Sequence, residues 1–558
     1  MSGCKKVLDE TPRAVLTPDY FKTSQGVNAG LIAAYSGLRY QYGPEGAMTL
    51  TVPGTDEFTI GSLANTDEVA FNAYTPTLNA TNSQLLTPWN NNFTYINTCN
   101  GVIQYGTLAA DLDATTKAEL LGEAKFLRAL YYFQLVQSFG GVPLDLGSGN
   151  LQFNTNPSTQ SKRNTSAEVY AAIIQDLKDA IPVLTPKPGV GRASGAAAIH
   201  LLAKVYLFKA TLASAKASDD YANALTYAKM LIDNQGTYGV ALLQNFGDVN
   251  KQGNEHSSES LFTVEHTENN QFNEFSTANG GIAQGLKENR ANYFFTAYEG
   301  LTNAAGKTLV NRSIPYQRSW IRFQPTKWLL DTCFADKTND SRFYNSFRTL
   351  WLCNNAGQGV NVGDTGIYLP IVPVDSATIA ASRYVIVNPS AYAKAGAKSF
   401  PNLTKFADVQ RAANNDPSGR PTIVFKLSET YMIAAEAAFY AGGDAASYLN
   451  VVRQRAAYNP AHDGPTNAAA VTAMTITAGD VSLDFILDER AREFCGEQYR
   501  WNDLVRTGQL VKRVKAHNAE GATNVSANFA IRPIPQTQIN LTTGAAFPQN
   551  TTPDYTQQ

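Results

Sequence analysis

The sequence predicts a mainly α fold, in which helices packed in consecutive pairs form a scaffold that carries a large irregular, loop-rich subdomain. Apolar residues recur at three- and four-residue steps before residue 240 and after residue 420, the period of a helix buried along one face. Between those positions the helical text gives way to Gly, Asn, Thr, Tyr and Phe with spaced prolines. A structureless stretch of that length does not fit a compact domain, so it must fold through short helices and strands. At 558 residues the chain can bury a large core without disulfide or metal staples.

Thr17-Pro18-Asp19 reads as a helix start, and residues 19–39 carry an apolar stripe. Residues 41–88 turn to Gly, Pro, Thr and Asn, an irregular segment with one short helix. Helical spacing resumes at Trp89 and runs to about Leu108. The next stripe, Leu120, Ala124, Leu127, Tyr131 and Leu135, ends at Gly140-Gly141-Val142-Pro143, glycine then proline stopping the helix. Further helices are expected over Ala167–Ile181, Ser194–Lys209 and Asp219–Asn234. Pairs of this kind, with small residues at their contacts, resemble tetratricopeptide packing, although no clean 34-residue period is present. A short amphipathic piece spans Thr326–Phe334. Val424–Tyr440, Ala445–Ala456, Val481–Phe494 and Trp501–Thr507 complete the helical set, and Ile531-Arg532-Pro533-Ile534-Pro535 is extended.

Forty-five Lys+Arg against 47 Asp+Glu give a net charge of −2, so the chain has no overall attraction to nucleic acid or anionic lipid. Charged residues are 16% of the chain and aromatics 11%, so neutral polar groups must cover much of the surface, which suits neutral ligands. No apolar run reaches the roughly 18 residues of a spanning helix, so membrane attachment is expected only through lipid. The five cysteines form no CxxC pair. Cys99, Cys333, Cys353 and Cys495 read as buried thiols, with a Cys333–Cys353 pairing left open. Ser2-Gly3-Cys4 looks like the end of a bacterial lipobox, with Cys4 as the acylated residue.

Five stretches in order carry a family resemblance. Glu123 to Phe133 (EAKFLRALYYF) leads into Phe139-Gly140-Gly141-Val142-Pro143; Arg192-Ala193-Ser194-Gly195 precedes Ala203-Lys204-Val205-Tyr206-Leu207. Ala434-Ala435-Glu436-Ala437 follows, then Asp488 to Phe494 (DERAREF) running into Tyr499 to Gly508 (YRWNDLVRTG), and finally Ile531 to Pro535. Together they resemble the SusD/RagB family of surface glycan-binding lipoproteins from Bacteroidetes nutrient-uptake systems. The resemblance implies a tetratricopeptide-like scaffold supporting an irregular ligand face, a lipid anchor at Cys4 on the cell surface, and a SusC-like TonB-dependent outer-membrane transporter as partner. It implies a non-enzymatic role, capture and delivery of oligosaccharide, with no cofactor. The chain then divides into a lipidated tether (1–18), an N-terminal helical region (19–239), a ligand-facing subdomain (240–420) and C-terminal helices (421–558). Glu489, Arg490, Glu493 and Arg500 are expected to tie helices together by ion pairs, with Trp501 packed between them.

Hydrolysis of a glycan needs two carboxylates flanking the bond. Glu489 and Glu493 stand four apart on one helix, interleaved with Arg490 and Arg492, a spacing for salt bridges with no room for a sugar ring. His256 and His266 with Glu255, Glu259 and Glu265 form the one local metal-capable cluster, but their spacing matches neither HExxH nor a paired zinc pattern, and no metal is expected. No G-x-S-x-G elbow or P-loop is present.

A neutral sugar offers C–H faces and rings of hydroxyls, so its site needs aromatic platforms and planar polar groups, carried on loops. Tyr74, Trp89, Tyr293, Tyr298 and Trp320 are the expected platforms, with Asp56, Asn79 and Arg318 as polar partners. Trp89 opens a helix and has a packing role as its alternative. The competing function is a scaffold lipoprotein of the same transporter complex that binds peptide or another non-glycan nutrient.

Overall fold

The computed structural model describes residues 18–156, 158–269, 290–458, 468–543, 547–550 and 555–557. Cys4 and His462 lie outside them.

The first half is a run of helices, α1 (Ser24–Ser36), α2 (Ser83–Gly106), α3 (Ala114–Phe139), α4 (Ser166–Ala180), α5 (Gly195–Lys209) and α6 (Asp220–Ile232), each packed on the next. The sequence encodes their starts as side-chain caps: Asp113 accepts from the Thr115 and Thr116 amides, and Thr165 and Glu168 close a capping box on α4. Gly140 ends α3 at φ +68°, a conformation that costs glycine nothing. Leu427–Ala441 (α7) arrives two hundred residues later, packs on both α6 and α5, and is followed by α8 (Ala445–Ala456) and α9 (Leu483–Phe494). Two short helices, α10 (Arg500–Arg506) and α11 (Leu510–His517), finish the scaffold.

Two expected boundaries move. Helix α2 begins at Ser83, capped by Asn82, and runs through Pro88; the proline removes one N–H, and burial of Leu85 and Trp89 on either side holds the turn. Val424 and Phe425 belong to a strand, because the continuous apolar run Ile423-Val424-Phe425 is paired with Ser260–Val264, and the helix begins only at Leu427. Helix α11 was not anticipated, and Trp328–Cys333 forms a π-helical turn inside the expected Thr326–Phe334 piece.

The irregular lobe leaves and rejoins the scaffold through one antiparallel pair, β2 (Ser260–Val264) with β9 (Thr422–Lys426), in which Val264 faces Thr422. Within the lobe, β3 (Phe323–Pro325) pairs with β1 (Phe58–Ile60), β4 (Phe347–Arg348) with β8 (Asn402–Leu403), and β5 (Leu350–Leu352), β6 (Thr365–Tyr368) and β7 (Val385–Ile386) form a three-stranded sheet. Its core gathers Tyr293, Phe294, Tyr298, Phe323, Trp351 and Phe400 and takes in Met48, Val52 and Phe58 from the segment before α2. The 41–88 segment is therefore more ordered than expected, with short helices Glu45–Thr49 and Thr66–Ala73 flanking β1.

Arginine–carboxylate pairs join the two regions. Asp56 receives Arg500 through Nε and Nη2 at 2.7 and 2.6 Å, and Arg513 Nε at 2.6 Å. Glu489 binds Arg342, Arg453 and Arg492 at 2.8, 2.7 and 2.6 Å, Glu493 meets Arg342 and Arg455, and Arg490 donates to Asp503 at 2.7 Å. Trp501 is buried under the Arg532 guanidinium, 3.8 Å from the ring centre. Removing either member of such a pair leaves a bare charge in the interior. Cys99, Cys333, Cys353 and Cys495 are free and buried. No helix among the described residues is long and apolar enough to cross a membrane.

Candidate functional site

Most of the expected aromatic platforms face inward. Tyr74, Trp89, Tyr293 and Tyr298 are at most 1% exposed, which corrects their reading as ligand surfaces. Each has a packing reason. Tyr74 donates to the Gly54 carbonyl at 2.5 Å, and Tyr298 to that of Gln317 at 2.5 Å. Trp89 packs edge-on against Phe93, Phe139 and Phe547 and donates to Gln538 at 3.2 Å. Tyr293 sits edge-on to Phe323. Asp56 is likewise taken by Arg500 and Arg513, which, against the opposing effect of burial, hold its carboxyl down at about 2. Asn79 is exposed, but its side chain closes its own turn, donating to Pro76 O and accepting from the Thr81 amide.

Trp320 and Arg318 remain at the surface, both half-buried. The turn that presents them has Gln317 and Ile321 at φ +62° and +53°, strained for side-chain-bearing residues and held by Gln317 donating to Asp408 O at 3.0 Å and Ile321 N to Phe295 O at 3.0 Å. The Arg318 guanidinium lies 4.0 Å from the Trp320 ring centre and also reaches Asn415 at 3.1 Å; Arg322 lies 5.0 Å from the same ring.

Trp320 Nε1 donates to Glu45 Oε2 at 3.2 Å, and that carboxylate links the ring to a neighbouring cleft. Glu45 is the first residue of its short helix, and its Oε1 takes Asn65 Nδ2 at 2.8 Å and Arg322 Nε at 3.1 Å. Asn65 is free to donate because its carbonyl oxygen is spent capping Thr66–Ala73, in a reciprocal box with Glu68. Burial, and then the adjacent Glu45 carboxylate, push the Glu68 carboxyl well above the ordinary carboxylate range, and Arg322 lies 3.1 Å from Glu45 and 3.8 Å from Glu68. The cleft, about 330 Å³, is lined by Tyr40, Glu45, Asn65, Gln84, Thr87 and Pro88 among others. It offers one aromatic wall, the primary amides of Gln41, Asn65 and Gln84, the hydroxyls of Thr49 and Thr87 and a carboxylate, next to a tryptophan: groups that stack on and hydrogen-bond to a neutral polyhydroxylated ligand.

Asn65 and Glu68 carried a readable signal, the three-residue capping spacing. Glu45 carried none, since its role depends on Trp320 and Arg322, more than 270 residues away in the chain. The local histidine cluster does not converge: His256 pairs with Glu265, whereas Glu255 binds Arg420 and Glu259 binds Arg455. Among the described residues no group of three His, Cys, Asp or Glu is placed to hold a metal. Glu489 and Glu493 are fully buried within arginine pairs.

Comparison with known proteins agrees with this architecture. Residues 268–552 match the model of the SusD family, and residues 7–207 match a family described as "Starch-binding associating with outer membrane". SusD-like protein P25 of Formosa agariphila is 23% identical over 540 residues, covering 92% of this chain and 88% of that protein. SusD-like protein P2 of the same organism is 27% identical over 277 residues, covering 47% of this chain and 50% of that protein, so this match spans only half of the relative's length. Among solved structures, surface glycan-binding protein A of Bacteroides thetaiotaomicron in complex with laminarihexaose superposes with a TM-score of 0.66 at 19% identity, over 96% of this chain and 100% of that chain. The helical stack, the lobe inserted through a single strand pair and the matched residues together place this chain in the SusD family.

Proposed function

We propose that the protein captures oligosaccharide at the Trp320 cleft and hands it to a TonB-dependent outer-membrane transporter, held at the cell surface by lipid on Cys4. The observation that carries the reading is Glu45, which fixes the indole of Trp320 beside a cleft walled by Tyr40 and floored by Asn65 and Gln84. A ring held at its N–H loses little freedom when a sugar stacks on it, and planar amides and carboxylates match vicinal hydroxyls in pairs. Arg318 supplies further donors at the rim. A relative of the same fold holding laminarihexaose, and a family description naming starch and the outer membrane, support this chemistry and location. The name of the solved relative and the family description speak of binding, and the cleft pairs no nucleophile with a base, which favours capture over hydrolysis.

Native gels cast with laminarin, starch or other neutral polysaccharides test it. Retarded migration in at least one gel, lost with Trp320→Ala at unchanged melting temperature, is the expected result. No retardation across the panel, together with capture of peptides by the same protein, would overturn it. Globomycin-sensitive processing and palmitate labelling, abolished by Cys4→Ala, test the anchor.

A further inference from the structure

Behind the cleft lies a second cavity of about 120 Å³, between the scaffold and the lobe, whose wall shares Gln41, Ala47, Leu50 and Pro88 with the cleft. Its lining is unlike the neutral cleft. One end presents four cations, Arg290, Lys405, Arg420 and Lys426, against two carboxylates, Glu255 and Glu497. Both carboxylates are already engaged. Arg420 Nε donates to Glu255 at 2.5 Å, with its other N–H groups on the carbonyls of Asn250, Lys405 and Ala407. Lys405 and Lys426 share one oxygen of Glu497 at 2.8 and 2.9 Å.

Arg290 is left over. Among the described residues it has no ion pair and no hydrogen bond; its guanidinium lies 4.2 Å from the centre of the Phe406 ring. Burial, and then the charge of Arg420, pull its pKa down to about 9 against the weaker opposing pull of Glu497 and Glu255, so it is still charged at neutral pH. His266, which lines a small adjoining pocket with Arg290, is held neutral with a pKa of about 3 by burial and by Arg290 itself, and so adds no further positive charge. On the scaffold wall Arg490 is 2% exposed, and its Nη1 has no hydrogen-bond partner. A half-buried guanidinium with no ion pair or hydrogen bond among the described residues keeps donors that an anion can complete.

We propose that this cavity is an oxyanion site in which Arg290 binds either the carboxylate of an acidic sugar residue entering from the cleft or free inorganic phosphate. The planar fork of arginine suits both, since each presents two oxygens at the spacing of its N–H pairs. The site goes beyond the neutral-sugar reading of the Trp320 cleft and does not depend on it.

Thermal melts and titration calorimetry at constant ionic strength test it, comparing sodium phosphate, glucuronate and glucose with matched chloride. Phosphate, glucuronate or both raise the melting temperature by several degrees, and glucose does not. Arg290→Gln raises the melting temperature in chloride, because a lone half-buried charge is gone, and weakens anion binding at least about tenfold. Arg290→Lys keeps the charge but loses the fork and weakens binding by a smaller factor; it decides the matter if Arg290→Gln does not fold. A response to glucuronate alone identifies the sugar-borne carboxylate, and a response to phosphate identifies the free anion. The site is overturned if neither anion shifts the melt beyond chloride, or if the Arg290 variants bind as the parent does. Polysaccharide gels and anion melts of the parent separate the two readings: retardation without an anion response sinks the oxyanion site alone, and an anion response without retardation in any polysaccharide gel sinks the glycan reading alone.

Discussion

In both the helical scaffold and the irregular segments, some buried tyrosines are held by donating to a backbone carbonyl that its own element leaves unpaired. In the scaffold, Tyr131 on α3 donates to Ala34 at 2.6 Å, in the last turn of α1, where carbonyls have no partner in their own helix. In the irregular segments such carbonyls are common, and several tyrosines serve them: Tyr298 on Gln317, Tyr392 on Pro370 and Tyr74 on Gly54, each at 2.5 Å. A tyrosine in a Gly- and Asn-rich stretch therefore reports an unpaired backbone acceptor as readily as a ligand platform. What sets Trp320 apart is that its N–H goes to a carboxylate at the rim of a cleft while the residue stays half-buried.

That contrast can be broken in stages. Asp56 ties the early segment to α10 and α11, and Asp56→Ala leaves Arg500 and Arg513 without their shared partner; denaturant unfolding should show a loss of about 3–5 kcal/mol. Beside it Glu57 behaves oppositely. Burial pushes its carboxyl up to about 8, so its contribution to stability is full below the ordinary value of 4.5 and is lost as pH rises through 8, whereas that of Asp56 is lost as pH falls toward 2. Glu57→Gln should therefore gain on the parent by more than about 1 kcal/mol between pH 5 and pH 8, and a difference independent of pH would refute the assignment. Tyr298→Phe strands the Gln317 carbonyl and should cost about 1–2 kcal/mol without changing glycan retardation. Tyr344→Ser, at a ring 61% exposed, should change stability by less than about 0.5 kcal/mol.

The helices were legible where an apolar stripe runs between a capped start and a glycine stop, even in α3, which is buried on every side over most of its length. The stripe Leu120 to Leu135 and the stop at Gly140 reappear in α3 almost unchanged. Legibility failed where a neighbour distant in sequence decides. Pro88 reads as a boundary, yet it lies inside α2, and Val424 reads as helix, yet Val264 and its strand hold it extended. The ion pairs of Glu489 and Glu493 show in their spacing on α9, but their partners Arg342, Arg453 and Arg455 come from other elements. At the site, Trp320 and Arg318 were expected on the same ground as Tyr74, Trp89, Tyr293 and Tyr298, their place in loop-rich text, which does not tell a surface ring from a buried one. Glu45 and Arg290 were not expected, because a lone charge in a Gly- or Asn-rich stretch takes its meaning from what the fold places around it.

The central claim is that ligand meets the one tryptophan held at the cleft and none of the buried tyrosines. Calorimetric titration of a neutral oligosaccharide retained by the parent, run in parallel on Trp320→Ala and Tyr298→Phe, tests it most directly. The account predicts at least about a tenfold loss of affinity for Trp320→Ala and parental affinity for Tyr298→Phe. Parental affinity for Trp320→Ala, or an equal loss in both variants, would contradict it.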